Sequence, residues 1–214
     1  MDLNLKGKTA IVSGGNKGLG AASAMALAAE GADLFLTARN AEDLQRTADE
    51  ITSAHGVTVS LLALDITEEK SGDQIVAAAL EEFDRIDILV NAAGGNRAGA
   101  TVMPAADIFA TSAADWRSVI DLNLMGTVLP SIVFRQAMTE GGSIINISSM
   151  AAERPLTRVG GYSASKAAID NFTGWLGAEL AQRYDGKLRV NAIAPDFFIA
   201  DQNRALLMNE DGTP

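Results

Sequence analysis

Residues Thr9-Ala10-Ile11-Val12-Ser13-Gly14-Gly15-Asn16-Lys17-Gly18-Leu19-Gly20 decide how the rest of the chain is read. The first five form an apolar run without polar alternation, the pattern of a strand covered on both faces. Glycines 14, 18 and 20 follow at the spacing G-x-x-x-G-x-G. Glycine permits the tight turn and lets a ligand approach the backbone closely. An Ala-rich helical pattern over residues 18–30 comes next. The loop therefore feeds a helix N-terminus, whose free N–H groups and dipole suit an anion. Strand, loop and helix in that order favour a nucleotide phosphate site at Gly14, Lys17, Gly18, Leu19 and Gly20 over an ordinary glycine-rich connection.

Outward from this unit the alternation repeats. Further strands are predicted over residues 33–38, 57–64, 86–90, 143–147 and 188–194, and helices over 41–54, 67–83, 113–138 and 161–184. Pro130 should kink the helix that contains it, or mark a joint. Continuous apolar strands alternating with helices predict an α/β fold: a doubly wound (Rossmann-type) parallel sheet with helices on both faces. One domain spanning 1–214 is expected from the length. In such sheets ligands sit outside the carboxyl ends of the strands. The small, polar stretch 94–111 reads as a loop over that site. The chain stops soon after the sixth strand, in the turn-like Asp211-Gly212-Thr213-Pro214. The expectation is a C-terminally shortened sheet that lacks the usual last strand and leaves an edge uncovered.

Composition narrows the partners. Lys plus Arg number 17 against 27 for Asp plus Glu, a formal charge of −10. Such a surface repels nucleic-acid phosphates, so no nucleic-acid partner is expected. There is no cysteine, hence no disulfide and no thiolate metal site. The lone His55, within Ser53-Ala54-His55-Gly56, reads as a solvated loop residue, and no metal is expected. Residues 1–8 lack the apolar core of a signal peptide, and no apolar run long enough for a membrane span is read. The expected location is the cytoplasm, with no membrane partner.

Cofactor choice turns on Thr37-Ala38-Arg39-Asn40, after the second strand. No carboxylate stands there to take a ribose 2′-hydroxyl, whereas Arg39 and Lys17 can pair with a 2′-phosphate. NADP(H) is therefore preferred, with NAD(H) as the second choice. Asp65, closing the third strand, reads equally as an acceptor for an adenine amino group or as a helix cap. Tyr162 and Lys166 stand at i, i+4 on one helix face. The ammonium is expected to lower the phenol pKa from about 10, giving an acid/base usable near neutral pH. Ser149, just past the fifth strand, can donate to the same carbonyl oxygen. A lone Tyr-x-x-x-Lys is usually a surface pair; the glycine loop and Ser149, in the right order, argue against that here.

Asn91-Ala92-Ala93-Gly94 follows the fourth strand, Asn123 stands in the long helix, and Tyr162-Ser163-Ala164-Ser165-Lys166 begins 13 residues after Ser149. With these motifs the chain resembles the short-chain dehydrogenases/reductases along essentially its whole length. The resemblance implies an NAD(P)-dependent oxidoreductase acting on a CH–OH group. It implies Tyr162 as general acid/base and Lys166 as the residue that binds the nicotinamide ribose and lowers the tyrosine pKa. Ser149 would hold the substrate carbonyl, and Asn123 would anchor a water in a proton relay. Cofactor contacts are implied for Ile66, Asn91, Ala92, Ala93, Pro195 and Phe198, and assembly as a homodimer or homotetramer. Asn123-Leu124-Met125-Gly126-Thr127-Val128-Leu129-Pro130, Arg154-Pro155-Leu156-Thr157-Arg158 and Gln202-Asn203-Arg204 resemble the D-mannonate oxidoreductase/fructuronate reductase branch. The small-molecule carbonyl or alcohol substrate would then be a sugar acid, with Arg97, Arg154, Arg158 or Arg204 to meet its carboxylate. One alternative is a 3-oxoacyl-carrier-protein reductase, although an acidic carrier suits a basic docking patch better than a chain of charge −10. Another is a non-catalytic nucleotide-binding protein, which the presence of Ser149, Tyr162 and Lys166 disfavours. The chain departs from the family where Asp196 and Ala200 replace a glycine and a threonine. A carboxylate near the pyrophosphate, at a position requiring positive φ, is expected to weaken cofactor binding.

Overall fold

The computed structural model describes residues 3–103, 105–138, 140–154 and 156–196. The first half runs β1 (Thr9–Ser13), α1 (Gly18–Ala29), β2 (Asp33–Ala38), α2 (Ala41–His55), β3 (Val59–Ala63) and α3 (Ser71–Glu82). The second half runs β4 (Ile88–Asn91), α4 (Ala113–Ile120), α5 (Gly126–Phe134), β5 (Gly142–Ile147), α6 (Gly160–Tyr184) and β6 (Leu188–Ile193). All six strands are parallel, in the order β3-β2-β1-β4-β5-β6. This is the doubly wound Rossmann-type sheet, and its order reverses between β1 and β4.

Alternate residues of a strand go to opposite faces. Ile11, with Phe35 and Leu89 beside it, packs against Ile75 and Ala79 of α3, Phe134 of α5 and Leu180 of α6. Ala10 and Val12, with Leu34, Leu36, Ile88 and Val90, pack against α1 and α2 through Ala24, Ala28, Leu44, Ala48 and Ile51. Coverage on both faces holds for the central strands but not at the edges. Every residue of β3 keeps some exposure, and β6 buries only Leu188 while Ile193 is 52% exposed.

The long helix departs from its predicted form. Pro130 sits inside α5 without breaking it, and the irregularity lies upstream, in a π turn over Asp121–Met125. Proline lacks an N–H, and its ring crowds the carbonyl four residues earlier, here that of Gly126. The π turn ends just before Gly126, and π turns of this kind favour functional sites. The run Ala113–Ala137, at mean hydropathy 1.2, is long and apolar enough to cross a membrane by length and composition alone, a test that a core helix also passes. Its apolarity serves the core: Val119, Thr127, Pro130 and Phe134 are buried.

The glycine loop is enforced sterically. A Cβ on Gly14 would lie 2.8 Å from the Ala93 nitrogen, and one on Gly20 would overlap the Gly14 carbonyl oxygen. At Gly18 a Cβ would meet nothing, but φ is +57°. Gly20→Ala should cost about 1–3 kcal/mol as overpacking, and Gly18→Ala about 1 kcal/mol as left-handed strain. Thermal unfolding of the two variants side by side checks this order.

Candidate functional site

At the carboxyl end of the sheet the loops enclose a cleft of about 710 Å³. That volume suits a nucleotide-sized ligand. Gly14, Lys17, Gly18, Leu19 and Gly20 line it from the β1 side, and Arg39, Asp65 and Ile66 from the β2–β3 side. Ala92 and Ala93 line it from β4, and Ser149, Tyr162, Lys166, Pro195 and Asp196 from β5, α6 and β6. Phe198, Ala200 and Arg204 lie outside the described residues. A dinucleotide fits this lining, because Gly14 and Gly20 leave no room for a Cβ, so the backbone is open to close approach, and helix α1 presents its N-terminus there.

Lys166 is buried, and its Nζ donates to the Ile147 carbonyl at 2.6 Å. The ammonium lies 5.5 Å from the centre of the Tyr162 ring, over its face. Burial pushes the Lys166 pKa down to about 8, with the Asp170 carboxylate opposing. For Tyr162 the expected direction is reversed. Burial raises the phenol pKa, and only its hydrogen bond with Ser149 pulls the other way. A phenolate loses more from desolvation than it gains from a cation whose N–H is committed to a backbone carbonyl. The Ser149 Oγ also accepts from the Ala151 N–H at 3.1 Å.

Two predicted site residues lie beneath the cleft. Asn91 sends its Nδ2 to Ser131 Oγ at 3.0 Å and to Asn146 Oδ1 at 2.9 Å. Asn123, in the π turn, is fully buried. Its Nδ2 donates to the carbonyls of Gly95 (2.8 Å) and Val119 (2.9 Å), and its Oδ1 accepts from the Gly95 N–H at 3.0 Å. Both ends of that amide are occupied in fixing the loop after β4. Asp65 does not cap α3, which begins only at Ser71. One oxygen accepts from Thr67 N at 3.0 Å and Thr67 Oγ1 at 2.8 Å, and the other faces Arg39 at 4.0 Å. Burial would raise its pKa, but Thr67, Arg39 and Arg97 together hold it below the ordinary value.

The arginines separate. Arg97 lines the cleft, whereas Arg154 is exposed and outside its lining. Arg158 faces a second pocket of about 400 Å³ and donates from Nε to the Val102 carbonyl at 3.2 Å. Asp196 lines the cleft without a positive φ, so the backbone strain expected there is absent. Sequence reasoning missed Thr47, whose hydroxyl holds the Asn16 carbonyl at 3.1 Å and ties the glycine loop to α2. It also missed Asn146, whose signal was a lone amide within the apolar run of β5. Asp43 was missed too; it lines the cleft beside Arg39, paired with Arg46 at 2.7 Å.

A family model described as short chain dehydrogenase matches residues 8–211. The uncharacterized oxidoreductase UxuB of Bacillus subtilis is 40% identical over 98% of this chain and 78% of its own length. A provisionally named D-mannonate oxidoreductase from Haemophilus influenza, solved with bound NAD, superposes with a TM-score of 0.89 at 34% identity, covering 99% of this chain and 78% of that one. L-Sorbose reductase from Gluconobacter frateurii, complexed with NADPH and L-sorbose, gives 0.86 at 30% identity, covering 94% and 73%.

The Lys166 shift sets a pH dependence of stability. Between its folded value of about 8 and the ordinary 10.5, the unfolded chain binds a proton that the folded chain does not. Stability from this group therefore rises with pH across that window, by at most about 3 kcal/mol at 1.36 kcal/mol per unit. Lys166→Met should flatten the rise, as urea unfolding of both proteins from pH 7 to 10 would show.

Proposed function

The chain belongs to the short-chain dehydrogenase family, and from that premise we propose that it interconverts a carbonyl and a secondary alcohol on a sugar acid, with NADP(H) preferred. As a family member it is an oxidoreductase acting on CH–OH groups with a nicotinamide cofactor. The observation that carries the mechanism is the convergence of Ser149, Tyr162 and Lys166 on one wall of the cleft whose opposite wall is the glycine loop. The nicotinamide, when bound, supplies or accepts the hydride. The Tyr162 hydroxyl, raised in pKa by burial and hydrogen-bonded to Ser149, is protonated at neutral pH and can give its proton to a carbonyl oxygen. Ser149 holds that oxygen beside the phenol. Lys166, anchored by the Ile147 carbonyl, fixes the Tyr162 ring and presents an ammonium to the cofactor ribose. Asn123 positions the Gly95 peptide that borders the same space.

The sugar-acid assignment rests on likeness to the D-mannonate oxidoreductase-like and L-sorbose reductase structures. The cofactor preference rests on Lys17 and Arg39, which both line the cleft. The carboxylate on α2 that shares this lining, Asp43, is paired with Arg46.

Tyr162→Phe should abolish reduction of a 5-keto sugar acid while NADPH binding survives, since only the hydroxyl is removed. Turnover within tenfold of the unsubstituted protein would sink the role given to Tyr162. A screen that includes L-sorbose and an acetoacetyl thioester should show preference for the sugar acid; preference for the thioester would favour the acyl-carrier reading instead.

Cofactor preference has its own test. The double change Lys17→Ala with Arg39→Ala should reduce the NADPH-over-NADH preference by roughly 10- to 150-fold, equivalent to about 1.5–3 kcal/mol for charge-assisted contacts. The ratio of kcat/KM for the two cofactors measures it.

A further inference from the structure

Arg97 stands in the loop that leaves β4, and the chain is pinned on both sides of it. Asn123 grips the Gly95 peptide at its N–H and its carbonyl. The Arg97 carbonyl accepts from the Ala100 N–H at 3.1 Å and from Thr101 Oγ1 at 3.0 Å. With its backbone fixed in this way, the side chain lines the large cleft. Its Nε is buried and has no hydrogen-bond partner. A buried N–H without an acceptor is costly, and in native proteins such a group calls for an explanation.

The place of the guanidinium narrows what that acceptor is. Its charge acts on Asp65, at the end of β3. Ser149 and Tyr162 belong to the β5 end, and β2, β1 and β4 lie between β3 and β5. Arg97 leaves the sheet from β4, between those two ends, with the Asp65 carboxylate within its electrostatic reach. Between those ends run the glycine loop and the α1 N-terminus, the anion-seeking part of the lining.

We propose that Arg97 is a cofactor-binding residue, whose guanidinium closes over the phosphate–ribose backbone of the dinucleotide from the β4 side. The assignment rests on the reading of the cleft as a nicotinamide-cofactor site. It gives the dinucleotide a cation on each side: Lys17 and Arg39 from β1 and β2, Arg97 from β4. A guanidinium suits the task because its planar fork of donors matches phosphate oxygens.

The test is equilibrium binding of NADPH and of ADP-ribose, which carries the phosphates but no nicotinamide, to the unsubstituted protein, Arg97→Met and Arg97→Gln. Both variants should bind both ligands roughly 10- to 100-fold more weakly, the range of a charge-assisted hydrogen bond. The KM for a 5-keto sugar acid at saturating NADPH should stay unchanged. Unfolding without ligand identifies a variant that fails to fold, and the other then decides. Unchanged ADP-ribose binding in the folded variant, or an effect confined to the KM of the sugar acid, overturns the assignment. If the unsubstituted protein binds neither ligand, the cofactor-site reading itself falls, and the Arg97 assignment with it.

Discussion

The carbonyl oxygen of Gly14 occupies the space where a Cβ on Gly20 would sit, and a Cβ on Gly14 would collide with the backbone of Ala92 and Ala93. Three pieces of chain, the turn after β1, the first turn of α1 and the exit of β4, are thus in backbone contact at the point where the strand order reverses. That contact brings the α1 N-terminus over the sheet end and sets the depth of the cleft. The loops carrying Arg39, Asp65, Ser149 and Pro195 are arranged around it. Any side chain at these glycines would lift α1 away and widen the cleft.

A second constraint lies under the floor. Asn91 on β4 and Asn146 on β5 share a hydrogen bond, and Asn146 reaches on to Thr173 of α6 at 2.8 Å. In the other direction Asn91 meets Ser131 on α5, whose hydroxyl donates to the Thr127 carbonyl, while Thr127 donates to the Asn123 carbonyl. This buried polar chain runs from α6, two turns past Lys166, to the π turn that grips Gly95. Buried amides with strong directional preferences hold two helices in register in a way that apolar packing alone does not. The wall bearing Tyr162 and Lys166 and the wall bearing Gly95 are therefore tied to each other through the sheet.

Much of the frame was legible in the sequence because it depends on local pattern. β1 and β2 have the predicted limits, since unbroken apolar runs ended by glycine or by a helix cap leave little choice. The i, i+4 pair of Tyr162 and Lys166 follows from helix geometry alone. What was not legible depends on long-range neighbours. The π turn lies upstream of the proline that the sequence marked, and no local pattern signals it. The roles of Asn91 and Asn123 depend on partners 28 to 55 residues distant. The separation of the arginines depends on which way each loop turns, for which charge alone gives no signal.

The direction of the Tyr162 shift carries the chemistry further than the motif does. A cation four residues along a helix suggests a stabilised phenolate, but in the folded chain the Lys166 ammonium is itself penalised by burial and bound to a carbonyl. Both members of the pair are pushed toward neutrality, the phenol by a raised pKa and the amine by a lowered one. Below about pH 8 the phenol keeps its proton and the amine its charge. A protonated phenol can donate, and a neighbouring ammonium favours negative charge on its oxygen. As pH rises past about 8 the amine loses its charge first, and the support it gives to a deprotonating phenol falls with it. Burial of the pair thus keeps the phenol protonated and the amine charged near neutral pH, a state set by packing rather than by the sequence motif.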